Sequence, residues 1–354
     1  MSVFLYHFHG LGDFDLSDLE PKDLIPLQEL AESQDLEILP TVYLRREKLG
    51  DLVRLVSAYG ELRDAGAVPN IAGFAVEGPL LGPQGGIPRA GRWVPSFAEW
   101  TELAGLGPAG LRYIVMAPDE MDLQDEIEPG ATFADLITTL YGNGVRLALG
   151  HFHRDDPERS ARRTEEVIAF LHERYESSRY LILTDHLYND MPRNFTHAWR
   201  TPEQRARHDE ELSELLSADW SRENLSDLLG PVPAVVLRAA LDDLLIPCIN
   251  FDGQHVDLEI SGRTAELLGD ERLIALTDHT EVAVMAGEPL TRSEHTGLWL
   301  RDDGAVAAGA SDHETQRANM SKLGLSEAHI ERLFHTNPRA AIDYRPVPRA
   351  ASAE

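Results

Sequence analysis

Eight short apolar runs, spaced by amphipathic segments along nearly the whole chain, constrain this sequence more than any other feature. The runs are Val3–His7, Leu36–Val42, Ile71–Val76, Leu111–Met116, Val145–Gly150, Tyr180–Thr184, Ile246–Phe251 and Leu273–Thr277. Each has strand length and is apolar at consecutive positions, so both faces are to be covered, as in a parallel sheet between helices. Helix-like stretches fall between them, among them Asp23–Ser33, Asp51–Ala65, Phe97–Leu106, Phe133–Tyr141, Arg159–Tyr175 and Ala234–Leu244. Thr132 is placed to cap the fourth of these, with Asp135 completing a capping box, and Gly142 and Gly144 end it. The alternation predicts a (β/α)8 TIM barrel. A doubly wound sheet can be built from the same pattern.

The barrel reading makes a demand: chemistry should lie at the C-terminal ends of the strands. His7 and His9 close the first run. In an extended strand, residues i and i+2 share a face, so two imidazoles converge there. The third run ends in Glu77-Gly78-Pro79, the fifth in Gly150-His151 and the sixth in Thr184-Asp185-His186. The seventh ends in Asp252-Gly253-Gln254-His255 and the eighth in Thr277-Asp278. His, Glu and Asp are nitrogen and oxygen donors suited to Zn²⁺ and acceptable to Fe²⁺, Mn²⁺ or Co²⁺.

Past Asp278 the pattern loosens. Thr296–Ala307 reads as a hairpin turning at Asp302-Asp303-Gly304, followed by helices over Glu314–Leu323 and Ser326–Phe334. The expected organisation is one barrel domain over 1–345 and a disordered tail over 346–354, where Pro, Ala and Ser carry no periodicity.

Charge and composition exclude several roles. Sixty acidic residues against 32 basic ones give a net charge of −28, which argues against nucleic acid or an anionic membrane as partner. Many of the acids lie in helix-like segments such as Thr164–Glu176 and Glu203–Glu214, as solvated faces. No apolar run is long enough to span a membrane and no secretory leader is evident, so a soluble, cytoplasmic protein is expected. Cys248 is the only cysteine and sits in an apolar run, which makes it a buried, inert thiol.

Taken together, His7-Phe8-His9-Gly10, Glu77-Gly78-Pro79, Gly150-His151, His186-Leu187-Tyr188-Asn189-Asp190-Met191, Asp252-Gly253-Gln254-His255, Thr277-Asp278 and Thr336-Asn337-Pro338 occur in a telling order. The sequence resembles the N-acetylglucosamine-6-phosphate deacetylases of the amidohydrolase superfamily, from about Val3 to Ile342. That resemblance implies a metal-dependent hydrolase taking an acyl group from an N-acylated amino sugar or sugar-like amine. It further implies two divalent ions, with His7, His9, Glu77 and Asp278 holding one and Glu77, His151 and His186 the other. No Lys stands in Leu111–Met116 to act as the bridging lysine of many relatives, which is consistent with Glu77 as the bridge. Asp278 would take a proton from water and pass it to the leaving amine, while His255, Asn189 and Arg89 would contact substrate.

Departures from the family pattern bear on substrate. The sequence begins at the first strand and ends soon after the last helix, so the family's accessory β-sandwich is expected to be absent. Arg89 falls where the family has a histidine, Asp190 where it has alanine. His197 replaces an arginine that reaches the sugar phosphate across a subunit boundary, an arrangement that goes with a homodimer. A carboxylate at Asp190 would repel a phosphate, and Arg193 and Arg200 are near enough in sequence to compensate. True N-acetylglucosamine-6-phosphate deacetylation, a cyclic amidohydrolase or deaminase reaction, and a non-catalytic scaffold remain as alternatives. His153, Asp155 and His279 are expected at the mouth; His208, His295, His313, His329 and His335 fit no ligand spacing and read as solvated.

Overall fold

The computed structural model describes residues 3–196 and 201–350. Eight parallel strands form the barrel wall: β1 (Val3–Phe8), β2 (Leu36–Tyr43), β3 (Phe74–Glu77), β4 (Leu111–Met116), β5 (Arg146–Leu149), β6 (Leu183–His186), β7 (Ile246–Ile249) and β8 (Ile274–Ala275). They pair in chain order from β1 to β8. Beyond the paired strands, Thr277 N donates to Tyr6 O at 3.3 Å and Asp278 N to His7 O at 2.8 Å, which brings the last strand round to the first. The doubly wound alternative is thereby set aside.

Strand residues alternate between two apolar layers. Phe4 and Tyr6 on β1, Leu39 on β2, Tyr113 and Val115 on β4, and Ile274 and Leu276 at β8 fill the barrel interior. Val3 and Leu5, Ile38 and Val42, Leu111 and Ile114 face the surrounding helices. This period of two with both sides buried is why the strands read as continuous apolar runs. Tyr6 and Tyr113 stack inside with centroids 5.5 Å apart. Cys248 is buried in the same interior.

The helices are α1 (Leu24–Ser33), α2 (Leu49–Asp64), α3 (Phe97–Ala104), α4 (Phe133–Gly142), α5 (Pro157–Arg174), α6 (Pro202–Ser217), α7 (Leu225–Leu229), α8 (Pro231–Leu241), α9 (Leu258–Leu268), α10 (His313–Lys322), α11 (Glu327–Glu331) and α12 (Asn337–Asp343). α4 shows the logic. Thr132 accepts from Asp135 N while Asp135 returns a bond to the Thr132 backbone, and Phe133, Leu136, Ile137 and Leu140 line the buried face. Sequence reading passed over α9, whose inward face carries Ser261 and Thr264 beside Ile260, Ala265 and Leu268. Small polar residues there blur the apolar stripe. Ser326 caps α11, but the helix predicted to run on to Phe334 changes to a π-turn over Arg332–Thr336.

A three-stranded antiparallel sheet follows the barrel: β9 (Thr291–Arg292), β10 (Leu298–Leu300) and β11 (Val306–Gly309). β10 and β11 form the expected hairpin, closed by Arg301 N to Ala305 O at 2.9 Å. Among the described residues, sheets outside the barrel have only two or three strands. Residues 346–350 are not a loose tail, as expected from composition. Glu176 N donates to Val347 O and Arg349 N to Arg174 O, both at 2.8 Å, so the segment lies along the end of α5. Residues 351–354 fall outside the described part, as do His197 and Arg200. No described helix is long and apolar enough to cross a membrane.

Candidate metal centre and its pocket

The ends of β1, β3, β5, β6 and β8 deliver seven buried side chains to one point. His7, His9, Glu77, His151, Asp185, His186 and Asp278 are each no more than 3% exposed. The backbone works to put them there. By simple alternation His7 would follow Val3 and Leu5 toward the helices. It instead adopts φ 57°, and the pairing of β1 with β2 shifts between Tyr6 and Phe8. That kink turns His7 inward, returns Phe8 to the outer layer, and leaves His9 facing the mouth. The two histidines converge as the H-x-H spacing suggests, but through a left-handed residue and not through a regular strand. His151 has φ 53° and Asp278 φ 43°. Left-handed backbone at a non-glycine residue costs on the order of 1–3 kcal/mol and persists where the surroundings enforce it, as at binding sites.

The donors fall into two sets that share Glu77. Glu77 Oε2 lies 3.1 Å from His7 Nε2 and 3.4 Å from His9 Nε2, and Asp278 Oδ1 lies 3.2 Å from His9 Nε2 and 4.0 Å from His7 Nε2. Glu77 Oε1 lies 2.5 Å from His151 Nε2 and 3.8 Å from His186 Nε2. A tetrahedral ion with bonds of about 2.0–2.1 Å has donor–donor edges of roughly 3.3 Å. Three edges of the first set, at 3.1, 3.2 and 3.4 Å, match that size, while the edges from Glu77 Oε1 in the second set, at 2.5 and 3.8 Å, fall on either side of it. Among buried polar atoms lacking a hydrogen-bond partner are His7 Nε2, His9 Nε2, Glu77 Oε2 and Asp278 Oδ1. Buried polar atoms left unsatisfied are costly. The residues present therefore fit the binding of divalent metal.

Several imidazoles are also held from behind. His9 Nδ1 faces Thr41 O at 3.3 Å, and His151 Nδ1 faces Asp190 Oδ2 at 3.4 Å. Such contacts leave Nε2 as the ligating nitrogen. Tyr43 stacks on His9, with ring centroids 4.6 Å apart, and donates to Glu77 Oε1 at 3.0 Å. Burial works against the charged form of Glu77, but His7 and His151 outweigh it and hold the carboxyl well below the usual range. Burial likewise opposes charge on Asp278, and His255, His9 and His186 more than offset it. For His7, burial favours the neutral ring, yet Asp185 and Glu77 raise its pKa to about 9.

The pocket beside this centre is lined by Tyr43, Gly86, His151, His186, Asn189, Asp190, His255, Asp278, Val306 and Ala307. His255 Nε2 sits 3.2 Å from Asp278 Oδ2, and its Nδ1 is 2.7 Å from Asp252 Oδ2. Asn189 is in the lining as expected. Arg89 is not. Its half-exposed guanidinium pairs with Asp302 at 2.5 Å and Asp303 at 3.3 Å on the β10–β11 turn, because that turn presents carboxylates the sequence did not place beside it. Arg193 donates to the carbonyls of Tyr188 and Phe195. Asp190 pairs with Arg154. His279 is buried and stacks on Phe8, His153 pairs with Glu120, and His208 is buried 2.7 Å from Asp257, so the reading of His208 as solvated fails. Asp185 was missed as a site residue. The available signal was its place directly before His186 at a strand end.

No family model matches the sequence, and no curated protein does. Solved structures do. The N-acetylglucosamine-6-phosphate deacetylase of Pasteurella multocida superposes with a TM-score of 0.67 at 18% identity, over 96% of this chain and 76% of that one. The enzyme of the same name from Thermotoga maritima gives 0.65 at 14% identity, over 98% and 81%. That from Mycobacterium smegmatis gives 0.62 at 19%, over 98% and 80%. At these identities the likeness establishes the fold alone: a (β/α)8 barrel shared with these enzymes.

Proposed function

We propose that this chain is a metal-dependent amidohydrolase that removes an acyl group, acetyl by preference, from an N-acylated amino sugar or sugar-like amine. The carrying observation is geometric: two donor sets share Glu77, and Asp278 spans from His9 to His255 at the pocket edge. His7, His9, Glu77 and Asp278 would hold one ion, and Glu77, His151 and His186 the other. Divalent ions held there would supply Lewis acidity, bringing the pKa of a water down to about 7 and polarising the scissile carbonyl. Asp278 accepts the proton of the attacking water and returns it to the leaving amine, as base and then acid. His255, fixed by Asp252, holds Asp278 in orientation and reaches toward substrate. Asn189 offers an amide to the sugar hydroxyls. Gly86, Val306 and Ala307 cover the pocket and exclude bulk water.

The structural neighbours are named for a 6-phosphorylated sugar. Here the pocket carries the Asp190 carboxylate, whose partner Arg154 is taken up by that ion pair, Arg89 is held by the hairpin acids, and Arg193 donates to backbone carbonyls. These features favour an unphosphorylated substrate, because a phosphate near pH 7 carries close to two negative charges. The test is release of amine and acetate from a panel of N-acetyl sugars with and without the 6-phosphate. Turnover of the unphosphorylated member with the higher kcat/KM supports the reading. A large advantage for the phosphorylated member restores N-acetylglucosamine-6-phosphate deacetylation, and no turnover of either moves the chemistry to another acyl or ring substrate.

A further inference from the structure

The second donor set, Glu77 with His151 and His186, has a neighbour that neither the sequence resemblance nor the reading above assigns. Asp185 stands one residue before His186 on β6 and is 1% exposed. Alternation places Asp185 with Leu183 on the interior face of β6, and the irregular pairing of β6 with β7 between Leu183 and His186 lets the next residue turn in as well. Two consecutive side chains thus reach the same centre. Asp185 Oδ2 lies 3.2 Å from His151 Nε2 and 3.1 Å from His186 Nε2, while Oδ1 lies 3.4 Å from His7 Nδ1.

Three observations bear on its role. Neither Asp185 carboxylate oxygen accepts a hydrogen bond. No Lys or Arg pairs with it among the described residues; its charged-group neighbours are the imidazoles alone. Gly150 on the adjacent strand end leaves the space it fills, since a Cβ at 150 would overlap the Asp185 side chain. A buried carboxylate whose charged neighbours are imidazoles alone is strongly disfavoured unless those rings are protonated or a cation meets it.

We infer that Asp185 is a protein ligand of the second divalent ion, completing a four-donor set of Glu77 Oε1, Asp185 Oδ2, His151 Nε2 and His186 Nε2. This rests on the two-ion reading above. Its separations from both imidazoles match the roughly 3.3 Å edge of a tetrahedron with bonds of about 2.0–2.1 Å. Two imidazoles and two carboxylates suit a divalent first-row ion such as Zn²⁺, Mn²⁺, Fe²⁺ or Co²⁺. Charge also balances: two divalent ions bring four positive charges to the three carboxylates Glu77, Asp185 and Asp278, leaving one to favour an anionic water-derived nucleophile or substrate oxygen. With Asp185 the second ion would have four protein donors, as many as His7, His9, Glu77 and Asp278 give the first.

The experiment is elemental analysis and chelator competition with Zn²⁺ on the full chain, comparing wild type with Asp185→Asn and Asp185→Ala. Asp185→Asn is nearly isosteric and keeps the comparison open should the alanine variant fail to fold. The expected result is two ions in wild type and one tightly held ion in the variants, with second-ion affinity down by more than the 10- to 100-fold that loss of a supporting residue costs. Two ions retained at unchanged affinity in a folded variant overturn the assignment while leaving the two-ion reading in place. A wild type that binds no ion overturns both.

Discussion

Removing the Tyr43 hydroxyl should loosen one ion and spare the other. Tyr43→Phe keeps the ring that stacks on His9 at 4.6 Å and deletes only the donor to Glu77 Oε1 at 3.0 Å. Burial and then the nearby charge of Glu77 push the Tyr43 phenol well above its ordinary pKa, so it is a neutral donor at any working pH. A hydrogen bond to a charged group contributes about 1.5–3 kcal/mol. At about 1.4 kcal/mol per factor of ten, that is roughly 10- to 150-fold in affinity. Oε1 belongs to the donor set of His151 and His186, whereas Oε2 faces His7 and His9. The loss should therefore fall mainly on the second ion. Stepwise Zn²⁺ titration against a competing chromogenic chelator reads both constants. Unchanged constants, or a loss confined to the first ion, would refute the assignment of Oε1 and Oε2 to separate ions.

Asp278→Asn should fold normally and, at matched metal content, lose roughly 10²- to 10⁴-fold in turnover, the scale for removing a general acid–base group; near-normal steady-state rates would move that role elsewhere. Gly86→Ala should cost about 1–3 kcal/mol in urea unfolding, because its Cβ would overlap the Val306 carbonyl oxygen across the pocket cover; an unaltered midpoint would show that the cover is not packed as described. Metal affinity should rise with pH from 7 toward 9. His7, raised to about 9 by Asp185 and Glu77 against the effect of burial, is protonated below that pH and must release a proton to ligate. The slope should approach tenfold per pH unit for one proton released, flattening above 9, and a flat profile in pH-stepped chelator titrations would contradict it.

How much of this was written in the sequence depends on which physical signal carried it. The barrel strands were legible because burial on both faces makes each one a continuous apolar run, and β4 matches its expected limits, Leu111–Met116. The Thr132–Asp135 box and the Asp302–Gly304 turn were legible because caps and turns are local chemistry. The convergence of His7 with His9 was legible, although its cause was not: the left-handed residue that flips the phase of β1 leaves no mark in a residue pattern. The ion pairs of Arg89 were not legible because its partners, Asp302 and Asp303, lie more than 200 positions away. Asp185 escaped notice because alternation allows only one of two adjacent strand residues to face inward, and the irregular end of β6 admits both. His208 likewise gains its buried partner, Asp257, from a distant loop.

The central claim is that two ions share Glu77 at the mouth of this barrel. Elemental analysis of protein purified without chelator, before and after the His7→Ala, His9→Ala double change, tests it most directly. The account predicts close to two divalent transition-metal ions per chain, falling to about one, since the donors around His151 and His186 survive the change. No ion in the wild-type chain, or two ions retained by the double variant, would contradict it.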